Sequence, residues 1–183
     1  MLDNHDMDRI FSVVGADFNK YKMGITWLLT LRGIPQLYYG TEILMSGAKS
    51  NGDGALREDF PGGWPSDSVN KFITSGRTSL QDSAYRFVQT LARYRSHTPA
   101  LTSGKLMQYT PQHGVYVYFR YDEHHTVMVV ANAGREADTL HMDRYSERAG
   151  SFRHGRDVIS GETVTLEGLP LGIYTSRVLE LEP

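Results

Sequence analysis

Asp3, His5, Asp6 and Asp8 crowd into the opening run MLDNHDMDR of this 183-residue chain. A carboxylate beside an imidazole can hydrogen-bond sugar hydroxyls and stabilise developing positive charge. The same residue types admit a second chemistry, in which His5, Asp6 and Asp8 hold a metal, though such a site needs a third or fourth ligand from elsewhere. The plain alternative is a solvated polar loop. A second candidate pair lies in DGALREDFPGGW, where Asp53 and Arg57 stand four apart in a Gly-rich loop. They can donate to and accept from hydroxyls, or form a surface ion pair that contributes little. Between the two lies GIPQLYYGTE, whose Tyr38 and Tyr39 suit a core as readily as a sugar face.

Composition narrows the classes. At 183 residues the chain can bury roughly 70% of its unfolded surface, as one ordinary domain or two small ones. Lys plus Arg number 19 and Asp plus Glu 21, a net charge of -2 with no basic stripe, which argues against nucleic acid as a partner. The absence of Cys excludes disulfides and thiolate metal sites, and is compatible with periplasm and cytoplasm alike. No run approaches 18 apolar residues, so no membrane span is expected.

The elements that must position these residues change character near residue 100. Asp17 is an N-cap candidate, and Tyr21, Ile25, Leu28 and Leu29 form one helical stripe ending at Gly33. IPQLYYGTEI (34–43) reads as a buried strand with Pro near its start. Residues 46–70 read as a long loop, of a length that is usually functional or disordered. Thr78 and Gln81 have capping-box spacing, Ala84, Phe87, Val88 and Leu91 follow at helical period, and Pro99 stops that helix. Beyond it, GVYVYFRY alternates, with Val115, Val117, Phe119 and Tyr121 on one face and Tyr116, Tyr118 and Arg120 on the other. DEHH reads as a turn and TVMVVAN as the returning strand. ADTLHM, RDVI, ETVTLE and GIYTSRVLEL extend the count to six or seven short strands, which predicts an antiparallel sandwich. One and a half α/β units cannot cover both faces of a parallel strand. The first half therefore reads as the tail of a larger α/β fold, and MLDNHD as an interior rather than a beginning.

Taken in order, LDNHD, GIPQLYYGTE and LREDFPGGW resemble the alpha-amylase clan of glycoside hydrolases, most closely its neopullulanase and cyclomaltodextrinase branch. LARYRSHTPALTSGKL is similar to the last barrel helix running into that clan's C-terminal domain. The resemblance implies an α+β piece: residues 1–99 as the C-terminal part of a catalytic (β/α)8 barrel, its last strand–helix units, and residues 100–183 as an all-β antiparallel (Greek-key) sandwich. It implies that Asp6 is the transition-state-stabilising carboxylate and that His5, Asp53 and Arg57 bind substrate. Asn4 would support the loop, while Arg9, Tyr39 and Glu42 are left as structural. The implied partners are α-glucan oligosaccharides such as maltodextrin, pullulan and cyclodextrin, with an oligomer compatible. The implied reaction is retaining hydrolysis of α-1,4 and also α-1,6 glucosidic bonds, through an oxocarbenium-like transition state between two carboxyl groups. The clan's nucleophilic Asp and acid/base Glu have no match here, so the chain alone is expected to be inactive. No cofactor is expected in this chain, since the clan's calcium ligands lie mostly in the unmatched part. The alternative of another class is a non-catalytic carbohydrate-binding or scaffold sandwich, which the aromatics at 115–121 would serve, although their alternation favours the sandwich core.

Overall fold

A computed structural model describes residues 1–182. The chain divides into two compact units, one of residues 1–28 with 35–89, the other of residues 29–34 with those from 90 onward.

The first unit is built from helices and pinned loops. Helix α1 (Ile10–Val13) is one turn, and α2 (Phe18–Thr30) begins in this unit. Asp17 caps α2 as its sequence indicates, its Oδ1 accepting from the Asn19 and Lys20 backbone N–H groups at 2.9 and 3.1 Å. Tyr21, Ile25 and Leu29 form the buried stripe, with Leu28 only half-buried beside it. Helix α3 (Ser79–His97) opens on the expected capping box: Thr78 N–H donates to Gln81 Oε1 at 3.0 Å, and Gln81 N–H donates to Thr78 Oγ1 at 3.2 Å.

IPQLYYGTEI is not a strand. Residues 34–38 hold no regular structure, Ile34 is 97% exposed, and the segment closes in a short 3₁₀ turn, Thr41–Ile43. A parallel strand draws its stability from neighbours on both sides, and the first unit contains no strand to supply them. The apolar run keeps its buried end, Ile43 and Leu44, and loses its ladder. The barrel expected for residues 1–99 is therefore represented here by helices and loops without a sheet.

The second unit is antiparallel β. After the single turn α4 (Pro99–Thr102) come β1 (Lys105–Gln108), β2 (Val115–Tyr121), β3 (Thr126–Asn132) and β4 (Asp138–Leu140). A short helix α5 (Ser146–Ala149) precedes β5 (His154–Asp157), β6 (Thr163–Thr165), β7 (Leu169–Leu171) and β8 (Thr175–Glu182). Six strands form one sheet in the order β1-β2-β3-β8-β5-β6, and β4 with β7 form a second. Val117 faces Val130 and Phe119 faces Met128 across β2 and β3, and with Leu140, Leu169 and Leu179 they build the core between the sheets. Of the four aromatics of β2, Tyr118 and Phe119 are fully buried, while Tyr116 and Tyr121 are half-buried.

The β2–β3 turn is DEHH, as its composition suggests. Asp122 Oδ1 accepts from the His124 and His125 backbone N–H groups at 2.8 and 2.7 Å. β3 is buried on both faces, which accounts for TVMVVAN reading as a continuous apolar run rather than an alternation. Two strands, β1 and β7, are not evident from the sequence. β7 carries Pro170 at its centre, tolerated because its sheet has only two strands and Pro needs no ladder donor on the open side.

The face of β2 opposite the sandwich core carries Tyr118 and Arg120, both buried. Tyr118 Oη lies 2.5 Å from Thr30 Oγ1, and the Arg120 guanidinium bonds the Thr30 carbonyl at 2.9 Å. The C-terminal end of α2 thus belongs to the β unit. Among the described residues, no helix is long and apolar enough to cross a membrane.

Candidate functional site

The four residues that the resemblance implies form the site, His5, Asp6, Asp53 and Arg57, come together in the first unit. Asn4 Oδ1 accepts from the Asp6 backbone N–H at 2.8 Å, a local turn that sets the loop carrying His5 and Asp6. Asp3 anchors the base of that loop. It is buried, and its carboxylate accepts from Thr41 Oγ1 at 2.9 and 3.0 Å and from the Ile10 backbone N–H at 3.0 Å. The acid nearest the chain start is thus a structural pin.

The second loop is docked onto the first. Gly47 accepts from the Arg9 backbone N–H at 3.0 Å, and its own N–H donates to Ser12 Oγ at 2.9 Å. A side chain there has no room, since a Cβ would fall 2.3 Å from the Ala55 carbonyl oxygen. Asp53–Leu56 forms a 3₁₀ turn anchored by fully buried Leu56, and Tyr39 Oη donates to the Glu58 carbonyl at 2.9 Å. Arg57 is placed by these contacts.

Arg57 then joins the cluster. Its Nη2 lies 2.9 Å from Asp6 Oδ1 and 3.2 Å from Asp53 Oδ2, and its Nε donates to the His5 carbonyl at 3.1 Å. His5 Nε2 stands 2.9 Å from the other Asp6 oxygen. Lys49 Nζ closes the arrangement against Asp53 Oδ1 at 2.5 Å. The side chains of His5, Asp6, Asp53 and Arg57 remain about half exposed, so the cluster is open on one side. Exposed pairs of this kind add little stability. What they do is hold carboxylate acceptors and guanidinium donors in fixed relation on an accessible face, an arrangement suited to vicinal hydroxyls.

Asp53 is held below the ordinary carboxylate range, first by the Lys49 hydrogen bond and charge and then by Arg57. A depressed value keeps the carboxylate ionised above its ordinary titration range and loses the link only as pH falls below it. Titration of the Asp53 carboxyl carbon by NMR is therefore expected to show a midpoint below that of a free aspartate. Lys49→Ala is expected to move it upward.

Asp8 does not join His5 and Asp6 as a third ligand. Its Oδ1 accepts from the Lys49 backbone N–H at 2.5 Å. Among the described residues, no group of three or more His, Asp or Glu side chains is placed to hold a metal ion. The sequence reading missed Lys49, although the spacing of four through Lys49, Asp53 and Arg57 is legible as a charge ladder. Arg9, left as structural, is fully buried: Nη1 donates to the Tyr39 carbonyl at 2.6 Å, and the guanidinium lies 4.1 Å from the Tyr38 ring centroid.

Comparison with known proteins bears on both units. A family model described as the cyclo-malto-dextrinase C-terminal domain matches residues 106–180, which hold nearly all of the strands of the β unit. A cyclomaltodextrin glucanotransferase of Geobacillus stearothermophilus is 32% identical over 179 residues, 93% of this chain and 22% of that protein. The chain belongs to the alpha-amylase clan. Other members agree. An alpha-amylase of Niallia circulans is 36% identical over 131 residues, 72% of this chain and 21% of that protein. The crystal structure of an alpha-amylase from Geobacillus thermoleovorans, complexed with acarbose, superposes over 100% of this chain and 38% of its own with a TM-score of 0.74. At 22% identity, that likeness concerns the fold. The chain spans about a fifth of the length of the curated relatives it matches.

Proposed function

We propose that this clan member is the C-terminal portion of a retaining α-glucan hydrolase, with Asp6 as its transition-state-stabilising carboxylate and His5, Asp53 and Arg57 as substrate-binding residues. On this reading residues 1–99 complete a (β/α)8 barrel and residues 100–183 are its C-terminal sandwich. The observation that carries it is the convergence on Arg57 of His5, Asp6 and Asp53, three residues drawn from two segments about fifty positions apart. A half-exposed carboxylate held by a guanidinium and an imidazole can grip ring hydroxyls more tightly as the sugar flattens toward an oxocarbenium ion, which is preferential transition-state binding.

The nucleophile and the general acid/base belong to residues outside this chain. The substrates are maltodextrins, pullulan or cyclodextrins, with α-1,4 and also α-1,6 bonds as targets. The test is direct. The purified 183-residue chain is expected to release no reducing sugar from starch, pullulan or cyclodextrin, while a longer polypeptide carrying it behind the remaining barrel elements is expected to do so. Turnover by the chain itself that disappears on Asp6→Asn would show that the other two carboxylates are not required.

A further inference from the structure

We infer that the loop of residues 59–77 presents a second α-glucan contact, an aromatic platform centred on Trp64, next to the Asp6–Arg57 cluster. The inference rests on the α-glucan reading above. Trp64 is 59% exposed, and Phe72 and Ile73 on the same loop are 61% and 53% exposed. Large apolar side chains gathered on one surface loop mark a binding surface more often than chance.

The loop is built rather than loose. The Trp64 indole N–H donates to Asp59 Oδ2 at 3.0 Å, and the Gly62 and Trp64 backbone N–H groups both donate to Asp67 Oδ2, at 2.6 and 3.1 Å. Lys71 N–H donates to the Pro61 carbonyl at 2.9 Å, and Phe60 packs on Phe72 with ring centroids 4.4 Å apart. Arg77 bonds the Lys71 and Phe72 carbonyls at 2.9 and 3.2 Å. Gly62, at φ +105°, lies against Asn70, where a Cβ would fall 2.5 Å from the amide oxygen. A ring already fixed in place loses little conformational entropy when a ligand lies on it.

The surroundings select the ligand. A pyranose ring offers an apolar C–H face and a rim of hydroxyls. The indole suits the face, and Asp59 and Asp67, which hold the Trp64 segment, suit the rim. Carboxylates beside the central aromatic disfavour a protein partner, since interface cores are depleted of Asp and Glu. They disfavour an anionic ligand by simple repulsion. Asp59 follows Arg57 by two residues, so their Cα atoms are at most about 7 Å apart. The indole N–H is bonded to that same Asp59, so one short oligosaccharide can span the platform and the cluster.

Affinity electrophoresis of the chain in gels containing amylopectin, pullulan or a β-glucan tests the inference, with Trp64→Ala, Trp64→Phe and Arg57→Ala run alongside and folding checked by circular dichroism. The expected result is retardation by amylopectin or pullulan that Trp64→Ala weakens roughly tenfold, the upper end of one aromatic contact, and that Trp64→Phe largely keeps. Binding unchanged in Trp64→Ala but weakened in Arg57→Ala would overturn the platform and leave the proposed function standing. Retardation by the β-glucan and not by the α-glucans would overturn the α-glucan reading and the platform with it. No retardation of the unmutated chain in any gel would overturn the platform, while the proposed function would stand on its own assay.

Discussion

In the longer hydrolase proposed above, Asp6→Asn is expected to lower kcat on pullulan or cyclodextrin by about 10³-fold, with stability changed by no more than about 1 kcal/mol. The substitution keeps shape and removes charge. A neutral amide can still meet Arg57, but it cannot offset the positive charge that develops on the sugar ring. The small cost in stability follows from exposure, because Asp6 is 57% exposed and its partners His5 and Arg57 are comparably open to water. Steady-state kinetics beside a thermal melt separates the two effects. A loss below about tenfold would reassign Asp6 to simple sugar binding, the range expected for one ordinary hydrogen bond.

Arg120→Met is expected to cost the β unit about 2–4 kcal/mol, read as a shift of the denaturant midpoint. Arg120 is 1% exposed, and its guanidinium reaches three carbonyl groups: Thr30 at 2.9 Å, Gly104 at 3.2 Å and Lys105 at 3.3 Å. Arg95, also buried, takes the Leu29, Leu31 and Gly33 carbonyls at 2.9, 3.4 and 2.7 Å. Together they bond the carbonyls left open where α2 ends, and their charge suits the negative end of its macrodipole. Carbonyls rather than carboxylates are the partners. Burial, and then the neighbouring Arg95 charge, accordingly pulls the Arg120 guanidinium below its ordinary pKa, and Arg remains charged where Lys would not. Methionine fills the space and leaves the carbonyls unbonded. Arg120→Lys is expected to recover little, since one ammonium cannot span three carbonyls. A midpoint shift equivalent to less than about 0.5 kcal/mol would show that water replaces the guanidinium there.

These two residues show how far the sequence could be read. Arg95 falls on the same helical stripe as Ala84, Val88 and Leu91, and Arg120 alternates with the core residues of β2, so pattern alone assigns Arg120 to an open face. It is buried because that face is covered by residues 29–34 and by α4, which packs on β2 and β3. Periodicity tells which side chains share a face, and says nothing of what covers it. The same gap explains IPQLYYGTEI: its residue types favour a strand, but a strand exists only where a neighbour completes its ladder.

Where a side chain's partner lies within a few residues, the sequence by itself determined the outcome. Asp17 caps α2, Thr78 and Gln81 cap α3, Asp122 closes the β2–β3 turn, and Asn4 shapes the loop before Asp6. Local hydrogen bonds depend only on spacing, and spacing is written in the chain. The alternation of β2 with the apolar run of β3 likewise foretold the sandwich core. Only the tertiary structure decided which distant groups meet. Asp3 pairs with Thr41 and Asp8 turns to Lys49, while Arg57 reaches across more than fifty positions to His5 and Asp6. Contacts of that separation are set by how the loops dock, through Leu56 burial and the close approach at Gly47, and no residue spacing encodes that docking.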